Sequence, residues 1–178
     1  NCREIRHEYF PLRLEGYKIV LLNSNVQHSL ASGEYNIRRQ YCEEGLSFLR
    51  SRLNIASFRD IDDVAMIEPF RDQLRPAVYA CCRYVVEEIG RTKKAAACLQ
   101  ANKLPEFGQL MFETHNGLSK LYKVGCAETD FLVEWAKKDP AVIGARQMGG
   151  GFGGCTINLV KAEAVEAFME RSILVYKA

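Results

Sequence analysis

Residues 149 to 154 read Gly-Gly-Gly-Phe-Gly-Gly, and no other stretch of the chain limits its possible structures so tightly. Five glycines in six positions bring no side chains to a core, and each costs roughly 1 kcal/mol relative to alanine inside a regular element. The run is therefore a loop. Without Cβ atoms its backbone can take positive φ, turn its N–H groups to one side and admit a close neighbour, as a phosphate or a second loop requires. Phe152 is its one anchor. Two readings stay open at this point: a supporting loop for a phosphate, or a hairpin or flexible connection, which glycine runs also make. The pattern fits neither common phosphate loop. No Lys-Ser or Lys-Thr pair follows at the required spacing, and the segment after Gly154 reads as a strand where a dinucleotide fingerprint would open a helix.

The segments on either side extend this frame. Val142 to Gln147 reads as the strand entering the loop, and Cys155 to Val160, with Thr156 and Asn158 interleaved, as the strand leaving it. Tyr17 to Asn23, a compact apolar run bounded by turn residues, is placed at the centre of the sheet. Arg3 to Leu14 alternates loosely, and Pro11 makes it an edge strand. Helical periodicity runs from Ser32, as N-cap, to about Arg52, with Tyr35, Cys42, Leu46, Leu49 and Leu53 on one stripe. It returns from Pro76 to Ala101, from Pro105 to about Tyr122, from Glu128 to Lys137 and from Glu163 to Ser172. Strands, then four helices, then strands and a helix, is not a strict βαβ alternation. The order predicts an α+β fold with an antiparallel sheet backed by several helices.

Composition excludes several functions. At 178 residues the chain is one domain, residues 1–178, large enough to bury a core. Its net charge of +2 and the lack of a basic block argue against a nucleic-acid partner. The basic clusters Arg38-Arg39 and Arg91 to Lys94 read as solvated helix faces. Asp62 and Asp63 read as solvated too, since adjacent carboxylates cannot converge on one ion from one helix face. Seven cysteines without CxxC pairs or matching histidines predict no metal site and a reducing, cytoplasmic setting. No apolar run approaches the ~18 residues that span a bilayer, so no membrane partner is expected. The first residue is Asn1, within a strand-like pattern, which predicts a piece of a longer protein.

Two side chains stand out. Tyr35, in the first turn of its helix, can pack or project its hydroxyl into a cleft, and the stripe alone favours the core. His115 lies beside the apolar stripe Phe107, Leu110, Met111, Thr114, Leu118 and Leu121, and reads as structural, without a carboxylate partner in the sequence.

Three segments together carry a resemblance: YKIVLLNSNVQHSLASGEYNIRRQYC from Tyr17 to Cys42, LPEFGQLMFETHNGLSKLY from Leu104 to Tyr122, and GARQMGGGFGGCTINLV from Gly144 to Val160. The chain resembles the C-terminal half of galactokinases, members of the GHMP family of small-molecule kinases that includes homoserine, mevalonate and phosphomevalonate kinases. The resemblance covers nearly the whole chain. It implies a ferredoxin-like C-terminal domain and transfer of a phosphoryl group from ATP, with Mg2+, to the anomeric hydroxyl of galactose, in a site between two domains. It implies that Tyr35 contacts the sugar, which reverses the reading from the stripe. It also implies that Gly149, Gly150, Gly151, Gly153 and Gly154 pack beside the phosphate-binding loop.

The same resemblance places the first two motifs and the catalytic aspartate in a preceding N-terminal domain, so that no catalytic residue is expected here and this chain alone is expected to be inactive and to need no cofactor. Two departures stand out: Gln27, where Lys or Arg is common, and Gln147-Met148, where Met-Thr is common. The chain also stops at Ala178, before a final strand usual in the family, which predicts an open sheet edge and self-association through it or through the surface that would face the missing domain. Competing readings are a sugar sensor that keeps the fold without efficient catalysis, and a related kinase for another sugar or small alcohol.

Overall fold

The computed structural model describes residues 7–26 and 33–177. The order of elements is β1 (Tyr17–Asn23), α1 (Glu34–Arg50), three 3-10 turns between Phe58 and Gln73, α2 (Pro76–Gln100), α3 (Leu104–Asn116), α4 (Ala127–Lys138), β2 (Val142–Gln147), β3 (Cys155–Lys161) and α5 (Val165–Lys177). The expected α+β class holds. The sheet is antiparallel throughout, in the order β1-β3-β2, with Tyr17 opposite Lys161 at one end and Asn23 opposite Cys155 at the other.

Two apolar clusters divide the interior. One lies between the sheet and α3, α4 and α5, around Val20, Phe112, Val133, Ala136, Val160 and Phe168. The other joins α1, α2 and the 3-10 turns around Leu49, Ile61, Ile67, Val78 and Cys82. Each fully buried side chain of this size contributes about 1.5–3 kcal/mol. Pro76 and Pro105 open α2 and α3, where a missing N–H leaves no helical bond unmade. The first Asp of the acidic pair is exposed, and the second, Asp63, caps a 3-10 turn by accepting from the Ala65 N–H at 2.7 Å. The helix α3 crosses β2 at glycine on glycine: a Cβ on Gly144 would lie 2.4 Å from the Gly108 Cα, and one on Gly108 would lie 2.1 Å from the Ile143 carbonyl oxygen. The register of β2 against β3 shifts between Val142 and Gly144, at this crossing.

Several expectations are corrected. Among the described residues β1 is an edge, not the centre; β3 is central. Its apolar run is also covered on one face only, with Ile19 and Leu21 turned outward and exposed. Of the edge strand expected over Arg3 to Leu14, residues 3–6 lie outside the described residues, and residues 7–14 form no strand, with Tyr9 and Leu12 exposed. The helix predicted to Tyr122 ends at Asn116 and continues as a π turn over Gly117–Leu121. Its buried face holds Gly108, Met111, Phe112, Thr114 and His115, so the stripe is rotated from the one read in the sequence. The helix α5 runs on to Lys177, past Ser172. Ser32 and Gln27 lie outside the described residues; Gly33, in a left-handed conformation, precedes the first turn of α1.

Candidate functional site

The glycine loop joins β2 to β3 and is gripped from two sides. The Met148 N–H donates to the Cys155 carbonyl at 3.0 Å and closes the hairpin. On one side the Phe152 N–H donates to the Val124 carbonyl at 2.6 Å. On the other, the Gly154 N–H donates to the Val26 carbonyl at 3.3 Å, while the Gly154 carbonyl accepts from the Ser24 N–H at 2.9 Å. Gly151 and Gly153 have φ of +95° and +133°, and a Cβ on them would lie 2.2 Å from the Val124 oxygen and 2.8 Å from the Val26 oxygen. These two glycines permit the grip. Gly149 and Gly150 are different: both are exposed, and an added Cβ on either meets nothing within 4 Å. The loop thus has a packed half and an open half.

The grip carries strain. Phe152, within the loop, has φ of +60°. Asn25 and Lys123, which precede the two gripping carbonyls, have φ of +55° and +54°. A non-glycine residue in this region costs roughly 1–2 kcal/mol, less for asparagine, whose short polar side chain suits it. Here the Asn23 side chain accepts from the Asn25 N–H at 2.9 Å and holds the turn. Lys123 has no such help in its own type, and no turn residue in the sequence announces its conformation.

Gln147 anchors the other end of the hairpin from a fully buried position. Its N–H donates to His115 Nδ1 at 3.2 Å, its Nε2 donates to the Val124 carbonyl at 3.5 Å, and its Oε1 accepts from Thr129 Oγ1 at 3.5 Å. The departure at Gln147-Met148 therefore puts an amide into the grip and a half-exposed methionine at the rim. His115 does have a carboxylate neighbour, contrary to the sequence reading. Its Nε2 lies 3.3 Å from Asp130 Oδ1, a contact without hydrogen-bond alignment, while Asp130 Oδ2 accepts from Ser119 Oγ at 2.6 Å. Burial holds the His115 imidazole below its ordinary 6.5, and the charges of Asp130 and Glu134 oppose that only in part.

Tyr35 is not in the core: it is 56% exposed on the first turn of α1, which overturns the reading taken from the stripe alone. It lies near the ring pair Tyr84 and Tyr122, whose centroids are 4.8 Å apart and whose planes are tilted by 34°. Burial, first, pushes both of their hydroxyls well above the ordinary tyrosine range, and Tyr35 adds a smaller upward push to each. Arg38, one turn along α1, is the residue the sequence reading missed. Next to Arg39 it reads as solvated, but its side chain is 15% exposed, and Arg91 in the other basic cluster is 10% exposed. Arg38 Nε donates to the Tyr122 carbonyl at 2.8 Å, and its terminal nitrogen reaches the Lys123 carbonyl at 3.4 Å and Glu34 Oε2 at 3.2 Å. The Glu34-Arg38 spacing was a usable signal, because it places the pair on one helix face. The carbonyls it meets, from a distant segment, were not.

An exposed tyrosine on a helix start and a glycine hairpin therefore lean on one segment, residues 122 to 124. The family model of the GHMP kinases C terminal matches residues 95–173, which take in the end of α2, α3, α4, the hairpin and most of α5. Residues 95–173 carry the C-terminal domain of the GHMP kinases.

Within that class its likeness is to galactokinases. It is 39% identical over 173 residues to the galactokinase of Thermotoga petrophila, covering 97% of this chain and 47% of that protein. Over 164 residues it is 42% identical to the galactokinase of Homo sapiens, covering 92% of this chain and 41% of that one. The crystal structure of Lactococcus lactis galactokinase complexed with galactose matches with a TM-score of 0.93 at 34% identity, over 99% of this chain and 45% of that chain. The chain spans less than half the length of these relatives.

Proposed function

We propose that this chain is the C-terminal half of a galactokinase that transfers a phosphoryl group from ATP to the anomeric hydroxyl of galactose, giving galactose 1-phosphate. The observation that carries the reading is the shared support of the site: Tyr35's helix and the glycine hairpin are both bound to residues 122–124. In this reading the exposed Tyr35 hydroxyl donates to or accepts from a sugar hydroxyl. Gly149 and Gly150 offer the open side of the hairpin to the phosphate-binding loop of the other half, while Gly151, Gly153 and Gly154 fix that side in place.

Phosphoryl transfer rests mostly on positioning and charge neutralisation. This chain supplies the first and little of the second. Among the described residues no three His, Cys, Asp or Glu side chains come together as a ready-made metal cage, and no step through Mg2+ is assigned to this half. The catalytic aspartate and the loop that cradles the nucleotide belong to the other half, and residues 1–178 alone are inactive. Galactose and ATP are the partners, and the setting is cytoplasmic; among the described residues no helix is long and apolar enough to cross a membrane. Where the outer edge of β1 is left uncovered, copies associate through it.

The test is ATP-dependent phosphorylation of galactose by the full-length protein, with residues 1–178 alongside. Product from the first and none from the second is expected. Product from residues 1–178 alone would refute the division of labour, and an inactive full-length protein that galactose still stabilises against heat would favour a sugar sensor.

A further inference from the structure

The geometry points to Arg38 as a positioning residue that sets the distance between the sugar-contacting tyrosine and the glycine hairpin. The inference rests on the reading of Tyr35 and the hairpin as two walls of one site. Its basis is a continuous path of short contacts. Glu34, in the same helical turn as Tyr35, holds the Arg38 guanidinium at 3.2 Å. That guanidinium donates to the carbonyls of Tyr122 and Lys123, two consecutive residues across the site. The next carbonyl, that of Val124, receives the Phe152 N–H from the hairpin.

Three features make this path a device for positioning and not ordinary packing. The guanidinium is largely withdrawn from water, and hydrogen bonds to a charged donor in such a setting are stronger and more directional than neutral ones. The planar fork reaches two acceptors and a carboxylate at once, which a lysine ammonium on its flexible stem cannot do with the same geometry. Lys123 sits at φ +54°, a conformation a lysine does not choose by itself, and it aims the Tyr122 and Lys123 carbonyls toward α1 while the Val124 carbonyl meets the hairpin. Release of Arg38 removes what holds that turn on the α1 side. The hairpin then loses a fixed Val124, and Tyr35 loses a fixed distance from it. Arg39, its neighbour in sequence, points to Glu43 at 2.9 Å in the open and belongs to no such path.

The experiment compares Arg38→Gln, Arg38→Lys and Arg39→Gln with wild type in the full-length protein, by amide hydrogen exchange and by steady-state kinetics. In Arg38→Gln, exchange over residues 122–124 and 148–154 accelerates about tenfold or more, the scale expected for loss of a charge-assisted hydrogen bond, while exchange in β1 and β3 is unchanged. Arg38→Lys lies between, and Arg39→Gln matches wild type. In the kinetic arm Arg38→Gln raises the galactose KM and lowers kcat together. The effect of Tyr35→Phe also shrinks in the Arg38→Gln background, because the tyrosine is already misplaced there. Wild-type exchange at 148–154 in Arg38→Gln overturns the inference. Should that variant fail to fold, Arg38→Lys decides: wild-type exchange in it overturns the inference just as well. A full-length protein that does not phosphorylate galactose removes the proposed function but leaves the exchange result standing, so the two failures are distinguishable.

Discussion

The Gln147 N–H donates to His115 Nδ1 at 3.2 Å, so the imidazole proton sits on Nε2, turned toward Asp130. A histidine in a helix thereby fixes the last residue of β2, from which the glycine hairpin springs. A proton on Nδ1 would break that bond, so the neutral ring is the structural form.

Stability is expected to fall in mild acid for this reason. The folded imidazole titrates below 6.5, chiefly because it is buried, with Lys120 acting in the same direction and Asp130 and Glu134 against it. At neutral pH both folded and unfolded chains are neutral at this site and the stabilisation is complete. Below 6.5 the unfolded chain takes up a proton that the folded chain refuses, and stability is lost until the lowered folded value is reached. His115→Asn keeps an acceptor for the Gln147 N–H but cannot titrate. Urea unfolding between pH 7 and 5 should show a shallower loss in the variant; an unchanged slope would assign the acid sensitivity to other groups.

Gly151→Ala and Gly150→Ala should part company. At Gly151 the alanine meets the Val124 oxygen at 2.2 Å and must hold φ at +95°, which costs about 2 kcal/mol or more. At Gly150 the alanine meets nothing within 4 Å and stability changes by less than about 0.5 kcal/mol. Thermal melts of the two variants check this, and equal melting temperatures would mean the hairpin is not gripped as described.

Gly108→Ala tests the crossing of α3 on β2. Its methyl would enter the Ile143 carbonyl, a backbone atom that cannot step aside without moving the strand. A loss of more than about 2 kcal/mol in urea unfolding is expected, larger than the gain of about 1 kcal/mol that the same exchange gives in an open helix interior. A net gain in stability would rule out the close approach.

Tyr35→Phe should leave folding untouched, since the side chain is exposed. In the full-length protein it should raise the galactose KM through one lost hydrogen bond, about 0.5–1.5 kcal/mol, or roughly two- to tenfold. Unchanged kinetics would remove Tyr35 from the sugar site.

Where the sequence carries both a periodicity and its punctuation, the elements are legible. The strands Tyr17–Asn23 and Val142–Gln147 have the ends that turn residues predict, and α2 begins at its proline. The loop is legible from its glycines, and the hairpin from the strand patterns on either side of them. The place of β1 is not, because an apolar run does not say how many strands will pair with it, and β1 pairs with β3 alone among the described residues. Nor is the role of Arg38: its charge is visible, but its acceptors are backbone carbonyls 84 and 85 residues away, which no side-chain pattern announces. His115 fails for the same reason, since its partners Gln147 and Asp130 come together only after the π turn and α4 are in place.

The central position of β3 governs the order in which the molecule can assemble. Tyr17, at the start of β1, pairs with Lys161, and α1 to α4 lie between them in the sequence. During synthesis β1 leaves the ribosome with its outward leucine and isoleucine and must wait for nearly the whole chain before it finds its neighbour. The cluster of α1, α2 and the 3-10 turns involves only nearby segments and can close first. Contacts of such long sequence separation form late and slowly, so the sheet, and with it the hairpin at its end, is the last part of the fold to be made and the part most exposed to wrong pairing before it is.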